Sequence, residues 1–329
     1  MTNERLAALL EHFDRVRLVV LGDFLIDEFL FGEISRVSRE APVLILHYQE
    51  TRICPGGAAN TVANAAALGA RVLPIGIVGD DRGADELIGM WSDHVDKSGL
   101  IREPGAQTTR KSRILAGSFH SFQQQVVRMD YEAPIPYRPS WERKVLANLS
   151  AALEQADALV ISDYSLGNIT GRIRREAMAT ARRSGIPVII DSRDHPSAFP
   201  GATTVTPNIS EVEATMRRVI GENLEKLEKY GELARRRWKV DTLLVTRGKL
   251  GMSLFAPSGI VHIRAHGSDD AVDVTGAGDT VAATYATSLA AGADFESAAR
   301  LANVSAGLVV MKKGTSTVTR DELANAMAF

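Results

Sequence analysis

Asp273-Val274-Thr275-Gly276-Ala277-Gly278-Asp279-Thr280 is the stretch whose residue types and spacing could do chemistry. The small-residue run at 281–291 reads as a helix, so Gly276 and Gly278 sit where a helix begins. At such an end the first N–H groups lack intrahelical partners and the helix dipole is positive. Anions bind there. Glycine lets a ligand approach the backbone closely, and the amides of Gly276, Ala277, Gly278 and Asp279 would face it. Asp279, in the first turn, would repel a phosphate if binding were its only task. It makes sense as a group that aligns a hydroxyl and removes its proton while a phosphoryl group arrives. The plainer reading is a helix start with Asp273 or Thr275 as N-cap and Asp279 favourable to the dipole.

The elements that must position this stretch alternate. Apolar runs at 17–21, 72–78, 158–162, 187–190, 203–206 and 242–246 are predicted strands. Helical patterns at 58–68, 83–95, 141–155, 170–183, 210–219 and 224–238 separate them. The strands are nearly continuous in apolar residues, so helices cover both faces. Repeated strand–helix units imply an α/β fold with a mainly parallel sheet and right-handed crossovers. Two regions, 29–47 and 108–129, break the rhythm with β-prone segments that have no helix of their own. They are predicted to form a small β-flap, a lid over the carboxyl ends of the strands. Strands at 110–115 and 124–129 would flank a polar turn at 116–123. The alternative is a plain extension of the main sheet. No repeat, low-complexity segment or long linker divides the chain, so residues 1–329 are expected to form one domain.

Composition narrows the partners. The 329 residues are 45% hydrophobic and 24% charged, with a net charge of −2, which is ordinary for a globular protein and offers nucleic acid no basic surface. Cys54 is the sole cysteine, so no intramolecular disulfide or cysteine metal cluster can form, and a reducing compartment fits. Residues 1–16 carry Glu4, Arg5, Glu11 and Asp14, which argues for a surface helix rather than a signal peptide. No run of 18 apolar residues exists, so no membrane span is expected, and a cytoplasmic location is. Neither G-x-x-x-x-G-K-[ST] nor a strand-borne G-x-G-x-x-G occurs, so an anion site at 276–279 needs another architecture.

Pro55-Gly56-Gly57-Ala58-Ala59-Asn60 with Leu68-Gly69, together with the 273–279 stretch, resembles the two signatures of the PfkB (ribokinase-like) carbohydrate kinases. The resemblance runs from about Arg17 to Val318. Within the family it is strongest to kinases that phosphorylate the anomeric hydroxyl of D-glycero-β-D-manno-heptose 7-phosphate. It is carried by Gly22-Asp23, Ser35-Arg36-Val37-Ser38-Arg39-Glu40-Ala41-Pro42, Ser162-Asp163-Tyr164, Thr206-Pro207-Asn208-Ile209-Ser210-Glu211, Val245-Thr246-Arg247, Gly251-Met252-Ser253-Leu254 and Gly314-Thr315-Ser316-Thr317-Val318. The resemblance implies a ribokinase-like fold, ATP as co-substrate and Asp279 as general base. It implies an anion hole of Gly276, Ala277, Gly278 and Asp279 amides. Asn208 and Glu211 match an N-x-x-E motif that holds Mg²⁺ through water; without the family they would read as a capping box. Thr246, Gly248 and Gly251 match a nucleotide-lining T-x-G-x-x-G, and Asn303 falls near the adenine position. Asp23, Asp27, Gly56, Gly57 and Asn60 match sugar-contacting positions, with Asp163 assigned to a substrate contact or a metal water. Cations for a phosphorylated sugar would come from Arg36, Arg39, Lys111, Arg113 or Arg193. The resemblance leaves activation by K⁺ open, and an exposed lid could pair with a second copy.

Departures from the family at 116–123 and at Asp191-Ser192-Arg193-Asp194-His195 leave the sugar open. The chain is expected to end before the nucleotidyl-transferring domain of the bifunctional members. Rival readings are a kinase for another sugar, sugar phosphate or nucleoside; a non-catalytic sugar or nucleotide sensor; and an α/β oxidoreductase, which the missing dinucleotide fingerprint opposes.

Overall fold

The computed structural model describes residues 3–117, 124–132, 135–267 and 271–327. Most of the turn expected at 116–123 lies outside these. The strands are β1 Arg17–Gly22, β2 Phe24–Val37, β3 Leu44–Gly57, β4 Arg71–Gly79, β5 Leu100–Glu103, β6 Arg110–Gly117, β7 Gln124–Tyr131, β8 Ala158–Asp163, β9 Val188–Ser192, β10 Thr204–Val205, β11 Thr242–Thr246, β12 Met252–Ala256 and β13 Gly259–Ile263. The helices are α1 Asn3–Leu10, α2 Ala58–Ala67, α3 Arg82–Gly89, α4 Pro139–Leu153, α5 Gly171–Ser184, α6 Ile209–Met216, α7 Leu224–Trp238, α8 Ala277–Ala290, α9 Phe295–Val309 and α10 Arg320–Met327.

The main sheet runs β13-β12-β11-β10-β9-β8-β1-β4-β5. It is parallel from β11 to β5, and β12 and β13 add an antiparallel edge that the strand–helix rhythm does not announce. Successive side chains of a strand point to opposite faces, and β1 shows both faces in use. Leu18 and Val20 pack with Val62 of α2, Val281 and Ala286 of α8 and Ala302 of α9. Val19 and Leu21 pack with Trp141 and Leu149 of α4, Ile173 of α5 and Leu227 of α7. The predicted N-terminal surface helix, α1, buries Leu6, Leu9 and Leu10 in a third cluster with Leu301, Val309 and Leu323.

The lid is a sheet of its own, β3-β2-β6-β7, and not an extension of the main one. Strands β2 and β3 are 14 residues each and are rooted in the body where Phe24 pairs with Gly57, so only Asp23 separates β1 from β2, which begins there instead of near residue 29. Their inner halves are largely buried and their outer halves open to solvent. Strand β6 lies parallel to β2, pairing Asp27 with Lys111 and Phe29 with Arg113. Among the described residues no helix is long and apolar enough to cross a membrane.

Candidate active site

Helix α8 starts at Ala277, four residues before the small-residue run suggested, and buries every side chain from Asp279 to Ser288. Its N-cap is Gly276, with φ 78°. A Cβ there would sit 2.5 Å from the Asn60 amide nitrogen and 2.9 Å from the Thr315 methyl. Both the left-handed turn and the close approach therefore demand glycine. Neither Asp273 nor Thr275 caps the helix. The Asp273 carboxylate accepts from Thr275 N–H (2.9 Å) and Gly314 N–H (3.1 Å), which braces the approach to α8.

Gly278 differs from Gly276. No atom lies within 4 Å of where its Cβ would be, so internal packing does not require glycine there. Among the described residues the N–H groups of Gly278 and Asp279 have no acceptor, while the Ala277 N–H donates to the Val274 carbonyl at 3.3 Å. Of the amides expected to form the anion hole, that of Ala277 already has a partner in the turn that precedes the helix.

Asp279 is 3% exposed. One carboxylate oxygen accepts from Asn60 Nδ2 at 2.9 Å and the other from the Tyr164 hydroxyl at 2.8 Å. Burial, with the Asp191 charge second, holds its carboxyl far above the usual carboxylate range; the two hydrogen bonds pull it partly back. Burial and the Glu211 charge push Asp191 in the same direction. A carboxylate so placed is a better proton acceptor than one in water.

Thr246, Gly248, Gly251 and Asn303 all line one cavity of about 180 Å³. Ala277 and Gly278 form its wall toward α8, and Lys249, His266 and Gly307 complete much of the rest. Asn303 donates to the Arg264 carbonyl at 2.8 Å. Asn208 and Glu211 flank Thr246, whose N–H donates to the Pro207 carbonyl at 2.9 Å. They form a full capping box on α6: Glu211 N–H donates to Asn208 Oδ1 and Asn208 N–H to Glu211 Oε2, each at 2.9 Å. Burial raises the Glu211 carboxyl.

The expected sugar contacts divide. Asp27 accepts from Arg113 at 2.5 Å and from the Thr315 hydroxyl at 3.2 Å, so it is no exposed strand residue. Gly56 has no room for a side chain because Leu25 and the Asp27 carboxylate lie against it, and Gly57 caps α2. Lys111 pairs with Glu132 at 3.2 Å. Arg36 and Arg39 are exposed at the outer end of the lid. Three of the residues also have partners within the protein. Asp23 is fully buried and accepts from Tyr164 N–H (2.9 Å) and Leu166 N–H (3.2 Å). Asn60, besides holding Asp279, donates to the Gly276 carbonyl and accepts from Asn64. Asp163 accepts from Ser165 N–H and the Ser192 hydroxyl. Each is tied to backbone or neighbouring side chains, as buried polar groups are, although Asp23 Oδ1 is buried with no hydrogen-bond partner among the described residues. They hold the frame around Asp279.

Tyr164, Asp191 and Thr315 were not singled out for chemistry from the sequence. Tyr164 lies within the Ser162-Asp163-Tyr164 match, and that match is the signal that could have found it. A larger open hollow of about 790 Å³ lies at the opposite end of the sheet beside Arg17, Arg71, His94 and Asn148, and contains none of the predicted site residues.

Comparison with known proteins agrees with this geometry. The sequence pattern described as pfkB family carbohydrate kinase matches residues 16–322. The bifunctional protein HldE of Geobacter sulfurreducens is 37% identical over 332 residues, which cover 100% of this chain and 66% of that protein. Its namesake from Coxiella burnetii is 38% identical over 320 residues, 96% of this chain and 64% of that protein. The chain thus spans about two thirds of the length of these relatives. Among solved structures, Arabidopsis thaliana ribokinase complexed with ribose and ATP matches with a TM-score of 0.74 at 18% identity, covering 95% of this chain and 99% of that one. Escherichia coli phosphofructokinase-2 in complex with potassium gives 0.76 at 18%, covering 95% and 98%. The fold is therefore ribokinase-like, and with the family pattern running over nearly its whole length the chain belongs to the pfkB family of carbohydrate kinases.

Proposed function

We propose that this protein is an ATP-dependent sugar kinase that transfers the γ-phosphoryl group to the anomeric hydroxyl of D-glycero-β-D-manno-heptose 7-phosphate. The observation that carries the kinase reading is the position of Asp279. It is a buried, hydrogen-bonded carboxylate one residue from Gly278, whose backbone lines the cavity that also gathers Thr246, Gly248, Gly251 and Asn303.

In this reading ATP lies in that cavity with its phosphates toward α8. The acceptor lies between the lid and the body, near Asp27, Lys111 and Arg113. Asp279 takes the proton of the acceptor hydroxyl as the phosphoryl group passes in line. The Gly278 and Asp279 amides and the positive end of α8 stabilise the charge that builds on the transferred group. Lid closure keeps water from serving as acceptor.

Mg²⁺ fits the residues present. Glu211 is a half-buried carboxylate with no cationic side chain bonded to it, and among the described residues no cluster of three His, Cys, Asp or Glu could hold an ion directly. That suits a cation that keeps its waters and borrows ligands from phosphate. Asn208 and Glu211 would hold it through water, and bound there it neutralises phosphate charge. Pairing of two lids through Val37, Val43, Tyr48, Val127 and Tyr131, all exposed residues of the lid, is part of the same proposal.

The test is ADP release across a panel of sugars, sugar phosphates and nucleosides, with ³¹P NMR of the product. The heptose 7-phosphate should give the highest kcat/KM and an anomeric phosphate ester. A faster acceptor of another kind would replace the substrate, and ligand binding with no ADP from any acceptor would favour a sensor. Asp279→Asn should lower kcat by about 10²–10⁴-fold with little change in KM for ATP.

A further inference from the structure

The Tyr164 hydroxyl donates to Asp279 at 2.8 Å, and the backbone and ring of Tyr164 have partners of their own. Its N–H is fixed by the buried Asp23 carboxylate at 2.9 Å. Its ring lies 5.7 Å from the Lys111 ammonium, which comes from lid strand β6, and 5.2 Å from the Arg193 guanidinium, which comes from the segment after β9. Among the described residues no carboxylate forms an ion pair with Arg193. The backbone of 164–166 is fixed in turn by Asp163, which accepts from Ser165 N–H at 3.0 Å. These contacts converge on one phenol whose hydroxyl ends at the carboxylate proposed as the base.

The geometry points to Tyr164 as the residue that positions Asp279 for proton abstraction, by donating to one carboxylate oxygen while Asn60 donates to the other. This rests on the kinase reading above and extends it. With a donor on each oxygen, rotation of the carboxylate would break a hydrogen bond, and its remaining lone pairs are left for an acceptor hydroxyl. The charged groups around Asp279 are Asp27 from β2 and Asp191 from β9, both raising its proton affinity; Lys111 and Arg193 stand over the Tyr164 ring. Donation from Tyr164 opposes the two acids and keeps more of the carboxylate ionised. The lid cation on the same ring places this contact where lid and body meet, so closing the lid bears directly on the base.

The experiment compares the pH profile of kcat for wild type, Tyr164→Phe, and the protein carrying 3-fluorotyrosine at position 164, whose more acidic phenol is a stronger donor. Phe keeps the ring between the two cations and removes only the donor. Its kcat at neutral pH should fall about 5–50-fold, and its acid limb should move up by about one to two pH units. KM for ATP should stay within two-fold. The fluorotyrosine protein should move the limb the other way. An unchanged limb in both proteins, or a loss in Tyr164→Phe confined to KM, overturns the assignment. Should Tyr164→Phe not fold, the fluorotyrosine protein decides alone. Absence of turnover in wild type with every acceptor would instead defeat the kinase reading itself.

Discussion

Asn60 and Asp279 stand 219 positions apart in the chain, yet the amide of one donates to the carboxylate of the other at 2.9 Å. Asn60 lies in α2 and Asp279 in α8, helices that pack together on one face of the sheet. The same amide also reaches the Gly276 carbonyl, so one side chain ties the cap, the base and the neighbouring helix. Asn60→Ala would leave Asp279 with one donor and Asn64 without its side-chain acceptor. The variant should lose about 10–100-fold in kcat and about 1–3 kcal/mol of stability. Steady-state kinetics and urea denaturation check this; a kcat equal to wild type would remove Asn60 from the machinery.

The two glycines of the helix start should answer to different measurements. Gly276→Ala must adopt φ near 78° and press on Asn60, so it should destabilise by about 1–3 kcal/mol or more. Gly278→Ala meets open space, so stability should hold or rise by about 0.4–1 kcal/mol. Its methyl group would enter the cavity instead, and kcat/KM for ATP should fall. Melting curves for both variants, set beside ATP kinetics, separate these effects. A Gly278→Ala enzyme with normal ATP kinetics would place the phosphates elsewhere.

Turnover should depend on pH through Asp279. Its carboxyl is raised by burial first and the Asp191 charge second, and only the ionised form can accept a proton. Activity should therefore be full at high pH and fall as the medium is acidified, with a limb far above the ordinary aspartate value of 3.8. A log kcat profile against pH measures the limb, and Asp191→Asn should move it downward because a like charge is removed. A limb near 4 in wild type would contradict the buried environment.

Stability should run the other way with pH. Asp23 is raised from 3.8 to about 6, chiefly by burial. The folded state then binds protons more tightly than the unfolded chain, so the contribution from Asp23 is full below about 3.8 and declines as pH rises through about 6. The loss is about 3 kcal/mol for a shift of this size. Asp23→Asn keeps an oxygen to accept from Tyr164 and Leu166 N–H, and should flatten this part of the curve. Denaturation midpoints measured between pH 4 and 8 for both proteins provide the comparison.

Features carried by local chemistry were legible in the sequence. The helix start at 276–279, the strand–helix alternation and the α7 span all follow from glycine placement and apolar spacing. Features made by contacts across the chain were not. Tyr164 meets Asp279 across 115 positions, and beyond the Ser162-Asp163-Tyr164 match nothing local to the tyrosine marks that meeting. Asp23 and Asn60 have the residue types of sugar ligands, but a type does not reveal which way a side chain points. Asp23 faces the backbone of 164–166 and Asn60 faces the base. The capping and metal readings of Asn208 and Glu211 use the same atoms, so the box seen on α6 leaves the metal role to experiment.

Helix α8 is closed to solvent from Asp279 to Ser288, whereas β7 is open along its whole length. The helix that carries Asp279 and the outermost lid strand therefore differ in their tolerance of substitution. Substitutions in the helix must be volume-matched or the base shifts. Substitutions on the outward side of the lid displace nothing. Sequence variety can accumulate along β7, while a change in α8 reaches Asp279 directly.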